Sequence, residues 1–189
     1  MHDSDALHSA FSGPRPRRRL SSVSLAVEPT EGAPDPVKYR WDPDTEILSA
    51  SVVDRRGGGS VATAVELEGS DGSWVTLELR AGRFCGIEVA VWPPVKARSV
   101  LAPPTETLPA HVVIPIVTSA GAAAVGDLEV DTLLSAESDR MERTFHLRVG
   151  PPRRTRAVRV GRDILLELDE SDQLAGLWLL NVPPVPLPS

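Results

Sequence analysis

Apolar and polar residues alternate with a period of two along most of this chain. Val75, Leu77 and Leu79 are interleaved with Trp74, Thr76, Glu78 and Arg80, and Phe145, Leu147 and Val149 with Thr144, His146 and Arg148. Ile164, Leu166 and Leu168 run opposite Asp163 and Glu167. A strand sends successive side chains to opposite faces, so the pattern predicts half-buried antiparallel strands. The interruptions carry turn chemistry: Arg56-Gly57-Gly58-Gly59-Ser60, Gly69-Ser70-Asp71-Gly72 and Ala81-Gly82. No stretch shows an apolar helical face with caps, and about ten strands fit between Ser22 and Val182. The predicted class is all-β, an antiparallel β-barrel or closed sandwich.

Segments recur in order within this pattern. Ile47-Leu48-Ser49-Ala50 returns as Leu133-Leu134-Ser135-Ala136, and Leu77-Glu78-Leu79 as Leu166-Glu167-Leu168. Gly86-Ile87-Glu88-Val89 returns as Gly176-Leu177-Trp178-Leu179, each followed by Pro-Pro-Val. The sequence thus predicts two tandem repeats, 37–95 and 125–188. Between them, 96–124 holds the Pro-rich Ala102-Pro103-Pro104-Thr105 and an added strand, His111 to Thr118. One small sheet cannot cover both of its faces. Two can, packed face to face or closed about a pseudo-twofold axis, so 37–189 reads as one β-barrel domain.

Residues 1–36 read as an N-terminal arm. Gly13-Pro14-Arg15-Pro16-Arg17-Arg18-Arg19 and Glu31-Gly32-Ala33-Pro34-Asp35-Pro36 flank one short strand-like stretch, Ser22 to Val27. Proline fixes φ and removes a donor, so neither flank fits inside a helix or a central strand. The composition suits a solvated tail or a lid. In the lid reading Leu7, Phe11 and Leu20 are apolar anchors, with Phe11 or Leu20 facing a pocket.

Composition removes several function classes. No apolar run approaches the ~20 residues of a membrane-spanning helix, and no charged-then-apolar leader opens the chain, so a cytoplasmic protein is expected. A single cysteine, Cys85, excludes an intramolecular disulfide and a Cys-based zinc cluster. A net charge of −6 argues against nucleic acid as a partner. His111 and His146 share no ligand spacing, and phosphate-loop, dinucleotide and nucleophile-elbow motifs do not occur, so neither metal nor cofactor is expected. Cys85 reads as a buried core thiol. Arg153, Arg154, Arg156, Arg159 and Arg162 read as a solvated, charged sheet edge or, in part, as an anion-recognition group.

Tyr39-Arg40-Trp41-Asp42-Pro43-Asp44-Thr45-Glu46-Ile47-Leu48 and Gly86-Ile87-Glu88 resemble the opening and closing signatures of a small bacterial family of uncharacterised single-unit β-proteins. Leu168-Asp169-Glu170-Ser171-Asp172-Gln173-Leu174-Ala175-Gly176 is similar to the family's ending, with Trp178 in place of the closing glutamate. The resemblance implies a fold and no assigned chemistry. Duplication, added strands and the Glu88/Trp178 asymmetry set this chain apart.

The aromatic positions suggest a lined pocket. In Phe84 to Trp92 one face carries Cys85, Ile87, Val89 and Val91 and the other Phe84, Gly86, Glu88, Ala90 and Trp92. If the repeats pair across a twofold, Glu88 and Trp178 approach a shared interior. Glu88 is then the candidate catalytic carboxyl, with Trp41, Trp74, Phe84, Trp92, His146, Trp178 and Phe11 as substrate-binding candidates. In chain length, cofactor-free make-up and N-terminal lid the protein resembles the spirotetronate-type cyclases, Diels-Alderases of actinobacterial polyketide antibiotic pathways. That likeness implies a monomer or homodimer that folds a hydrophobic small-molecule substrate inside a barrel. The alternative is a non-catalytic small-molecule-binding or protein-interaction β-module. An apolar cavity above about 300 Å³ favours the first, and a side-chain-filled interior the second.

Overall fold

The computed structural model describes residues 18–21, 25–53, 62–115 and 128–186. They form β1 (Arg18–Ser21), β2 (Glu28–Glu31), β3 (Val37–Asp42), β4 (Ile47–Val52), β5 (Ala62–Gly69), β6 (Trp74–Arg80) and β7 (Arg83–Val91). β8 (Val95–Arg98), β9 (Thr107–Val113) and β10 (Leu128–Thr132) lead to β11 (Leu134–Asp139) and β12 (Phe145–Val149). β13 (Arg156–Gly161), β14 (Ile164–Leu168) and β15 (Leu174–Leu179) complete the chain. The fold is all-β, a strongly curled, barrel-like sheet. More strands are present than the alternation predicts, because β1, β2, β8 and β10 are too short to display it.

Two five-stranded antiparallel units dominate. The first has the spatial order β3-β4-β7-β6-β5 and the second β11-β12-β15-β14-β13. β9 joins them, pairing with β13, with β2 and, at Arg83 opposite Val113, with β7. The expected all-antiparallel pairing is corrected at the margins. β1 with β10, β10 with β5, β8 with β11 and β9 with β13 are parallel.

The interior between the units is filled by side chains. Val65, Leu67, Leu77, Leu79, Ile87 and Val89 of the first unit meet Leu147, Val158, Ile164, Leu166, Leu177 and Leu179 of the second in one core, each at most 1% exposed. Polar pins add to this apolar contact. The Tyr39 hydroxyl donates to the Asp163 and Leu180 carbonyls at 3.0 and 2.9 Å, and the Trp41 indole donates to the Pro183 carbonyl at 2.7 Å. Burial, then the charge of Asp163, pushes the Tyr39 phenol well above the usual tyrosine range, the Leu180 hydrogen bond opposing. Tyr39→Phe leaves the Leu180 carbonyl short of this donor, while the Asp163 carbonyl still accepts from the Leu180 N–H, and is expected to lose about 1–2 kcal/mol in denaturant unfolding. Because the folded group holds its proton more tightly, its contribution is present below the ordinary value of about 10 and is lost as pH rises above it. Tyr39→Phe should remove that alkaline loss.

The structure corrects three readings of the strands. The segment 47–50 lies in β4, whereas 133–136 opens β11, the counterpart of β3 in strand order. The position matching β4 is held by β12: Ser49 opposes Glu88 as His146 opposes Trp178. The 77–79 and 166–168 segments do occupy matching strands, β6 and β14. Second, a register shift between Glu78 and Leu79 against β7 turns Phe84 into the core with Ile87 and Val89, and puts Cys85 on the other face, half-buried. Third, β13 is no sheet edge, lying between β14 and β9. Its arginines are engaged, Arg156 with Asp172 and Arg159 with the Arg162 carbonyl.

Part of the arm belongs to the body. Leu25 and Val27 are buried, Val27 donates to the Asp172 carbonyl, and Ala26 bridges Gln173. Residues 1–17 and the Gly57-Gly58-Gly59 turn lie outside the described residues.

The second unit is buried on both faces. Leu165, Trp178, His146 and Glu167 are at most 8% exposed, although alternation sends them away from Leu166, Leu177 and Leu147. β8 and β9 flank opposite edges of this unit.

Candidate functional site

The ends of β5, β10 and β12 and the start of β15 converge on a groove of about 820 Å³. Leu67, Val130, Val149, Leu174 and Leu25 give it an apolar floor, and Leu133, 59% exposed, stands on its lip. Glu68, Ser70, Asp131, Thr132 and Arg153 supply polar groups. The local sequence explains the opening. Gly72 and Gly150, at φ +85° and +75°, reverse the chain at two of the strand ends, so the walls diverge there. Arg153 fixes one wall: its guanidinium donates to the Leu174 carbonyl at 2.6 Å and the Val149 carbonyl at 3.1 Å, and pairs with Asp169 at 2.9 Å.

The two outer faces hold the other concentrations of chemistry. In the second unit His146 Nε2 lies 3.0 Å from Glu167 Oε2, and the Trp178 indole donates to Glu167 Oε1 at 2.8 Å. The His146 ring stacks on Trp178, with centroids 4.2 Å apart and planes at 8°. Burial alone raises the Glu167 carboxyl, but the hydrogen bonds from His146 and Trp178 outweigh it and hold the group below the usual glutamate range. Gly176 makes room for this group, because a Cβ there would sit 2.8 Å from Glu167 Oε2 and 2.9 Å from the Leu147 carbonyl.

The first unit repeats the plan with different residues. Glu78 lies against Gly86 as Glu167 lies against Gly176. Ser49 and Glu88 take the places of His146 and Trp178, and the Ser49 hydroxyl donates to Glu88 Oε2 at 3.2 Å. Burial, then the charge of Glu88, raises the Glu78 carboxyl, with Arg80 opposing. A satisfied carboxylate in one unit thus corresponds to a strained pair of carboxylates in the other.

The residues expected to line one pocket are dispersed. Trp41 and Trp92 stack at 6.1 Å and Trp92 meets Phe145 at 4.8 Å, so this aromatic group bridges the units. Phe84 is core, Trp74 is half-buried on the outer face of β6, and Phe11 lies outside the described residues. Glu88 and Trp178 do not share an interior. Their neighbours Ile87, Val89, Leu177 and Leu179 fill it, so alternation sends Glu88 and Trp178 outward, each on its own unit. None of these candidates lines the groove. The groove residues escaped the sequence reading because they carry the same alternation as any core strand.

Among the described residues no group of three His, Cys, Asp or Glu side chains is placed to hold a metal ion, and no helix is long and apolar enough to cross a membrane. No protein-family model matches the chain, and a search of curated proteins finds no match.

Proposed function

We propose that this protein binds a small, largely apolar molecule in the groove between β5, β10, β12 and β15. The observation that carries this reading is the groove itself. Its volume of about 820 Å³ lies within the roughly 300–1,000 Å³ typical of small-molecule sites, with an apolar floor and a few polar groups at the rim. Arg153 keeps one wall rigid in advance of binding, which lowers the ordering cost of association. The side-chain-filled interior favours a binding module over a barrel that encloses its substrate.

A catalytic form of the same reading is cofactor-free ring closure of a hydrophobic polyene, as in antibiotic-type polyketide pathways. The fixed apolar wall favours it, since holding reacting carbons in a near-attack geometry removes much of an entropic barrier. Leu133→Glu tests both forms, because Leu133 is exposed on the lip, its replacement should leave the fold intact, and a carboxylate there repels the sulfonate of the probe. The expected result is at least about tenfold weaker binding of anilinonaphthalenesulfonate, read by fluorescence, a loss of ~1.4 kcal/mol. Unchanged affinity contradicts the groove as the site. A linear polyene ketone incubated with the protein then separates binding from turnover.

A further inference from the structure

The two five-stranded units are framed alike at three of their four edges. β13 ends the second unit against β9 and β5 ends the first against β10, and both added strands run parallel. At the other edge of the second unit β8 runs parallel to β11, with Val95 opposite Ala136 and Arg98 opposite Asp139. The matching strand of the first unit is β3, and among the described residues β3 pairs only with β4. The registers through β4 and β12 set Tyr39, Arg40 and Trp41 in the places of Ala136, Glu137 and Ser138. The Val53 N–H donates to the Pro36 carbonyl and the Gly150 N–H to the Leu133 carbonyl, which fixes the direction of the backbone groups along β3 and β11. Those of Ala136 and Ser138 point toward β8, and those of Tyr39 and Trp41 toward the free edge of β3.

The side chains at this edge define the strand that fits it. Val37, Tyr39 and Trp41 pack against the core, so Lys38 and Arg40 stand outward, both exposed. Among the described residues neither makes an ion pair. Asp42, near Arg40, is held in its own turn, where it accepts from the Asp44 N–H at 3.1 Å. In the second unit the sign is reversed and answered: Glu137, in the place of Arg40, pairs with Arg98 of β8. A strand added to β3 is therefore matched by acidic side chains outward, alternating with apolar ones beside Tyr39 and Trp41. A second copy of β3 would set cations against cations. The chain's own Pro184-Val185-Pro186 forms no strand, carries no charge and has prolines at two of three positions, which lack the N–H a ladder needs.

We propose that the free edge of β3 is the docking site for an extended acidic segment of a partner protein, which adds to the sheet as a parallel strand beside Tyr39–Asp42 as β8 does beside Ala136–Asp139. Backbone hydrogen bonds from Tyr39 and Trp41 supply the affinity, and the alternation of charge and apolar side chains supplies the selection. Lys38 and Arg40 also keep basic strands off an edge that backbone bonding alone would open to any chain. The site is separate from the groove: β3 and β5 are opposite edges of the first unit, and no β3 residue lines the groove.

End-blocked peptides of about seven residues, alternating glutamate with valine or lysine with valine, test this on the full chain by calorimetry and amide hydrogen exchange. In the free protein the Tyr39 and Trp41 amides should exchange much faster than that of Arg40, which bonds across to Ser49. The glutamate peptide is expected to bind saturably and to slow those two amides at least about tenfold. The lysine peptide, and a glutamate peptide N-methylated at its glutamates, whose N–H groups face β3 in this register, should bind at least about tenfold more weakly. Lys38→Glu with Arg40→Glu should reverse the preference between the two charged peptides. Both side chains are exposed, and the N-methyl comparison uses the parent chain, so the test does not hang on that variant. Equal affinity for all three peptides, or no slowing at Tyr39 and Trp41, would overturn the proposal. Protection of these amides in the free chain would overturn it too, assigning the edge to the chain's own residues or, where protection grows with protein concentration, to a second copy.

Discussion

Glu167→Ala is expected to be the most damaging single substitution on either outer face, at about 3–5 kcal/mol in denaturant unfolding. The residue is 8% exposed, and its carboxylate is hydrogen-bonded to both His146 and Trp178. Its loss strands a buried imidazole and a buried indole N–H, and buried polar groups without partners carry their full desolvation cost. Glu78→Gln, at the matching position of the first unit, should instead stabilise slightly at neutral pH, because it removes a carboxylate repelled by Glu88. The pH dependences have opposite signs. The lowered Glu167 carboxyl gives stability above the unfolded glutamate value, lost as pH falls through the folded value. The raised Glu78 carboxyl costs stability as pH rises from the unfolded value through the folded one. Equal effects of the two substitutions would contradict the pairing of these positions.

Leu166→Ala should cost about 2–5 kcal/mol, and Trp74→Ala distinctly less. Leu166 is fully buried between Val158 and Leu177 on the neighbouring strands, where truncation leaves a cavity that the sheet cannot collapse around. Trp74 is larger but half-buried on an outer face, so it loses fewer packed contacts. Thermal or denaturant unfolding of the two variants ranks them. A Trp74 variant that unfolds first would place that indole in the structural core.

The fold was largely legible, and the site was not. Alternation at 75–80, 144–149 and 164–168 is a direct imprint of pleated backbone, and β6, β12 and β14 lie there. What alternation cannot carry is a one-residue slip. The irregularity between Glu78 and Leu79 exchanges the faces of Phe84 and Cys85 with no trace in the spacing. Nor can it tell an open outer face from a covered one. Glu167 reads as a solvated residue like Glu78, yet Glu167 is buried and Glu78 only half-buried. The groove is a property of convergence. Leu67, Val130, Val149 and Leu174 come from distant segments, and each satisfies a core pattern by itself.

The most direct test of the small-molecule reading is a titration of the full chain with anilinonaphthalenesulfonate, followed by backbone and methyl NMR shifts. The account predicts saturable shifts at Leu25, Leu67, Val130, Leu133 and Leu174, with Glu88, Trp41 and Trp178 unmoved. Shifts confined to the outer faces or to the Trp41–Trp92 stack, with the groove silent, would contradict it.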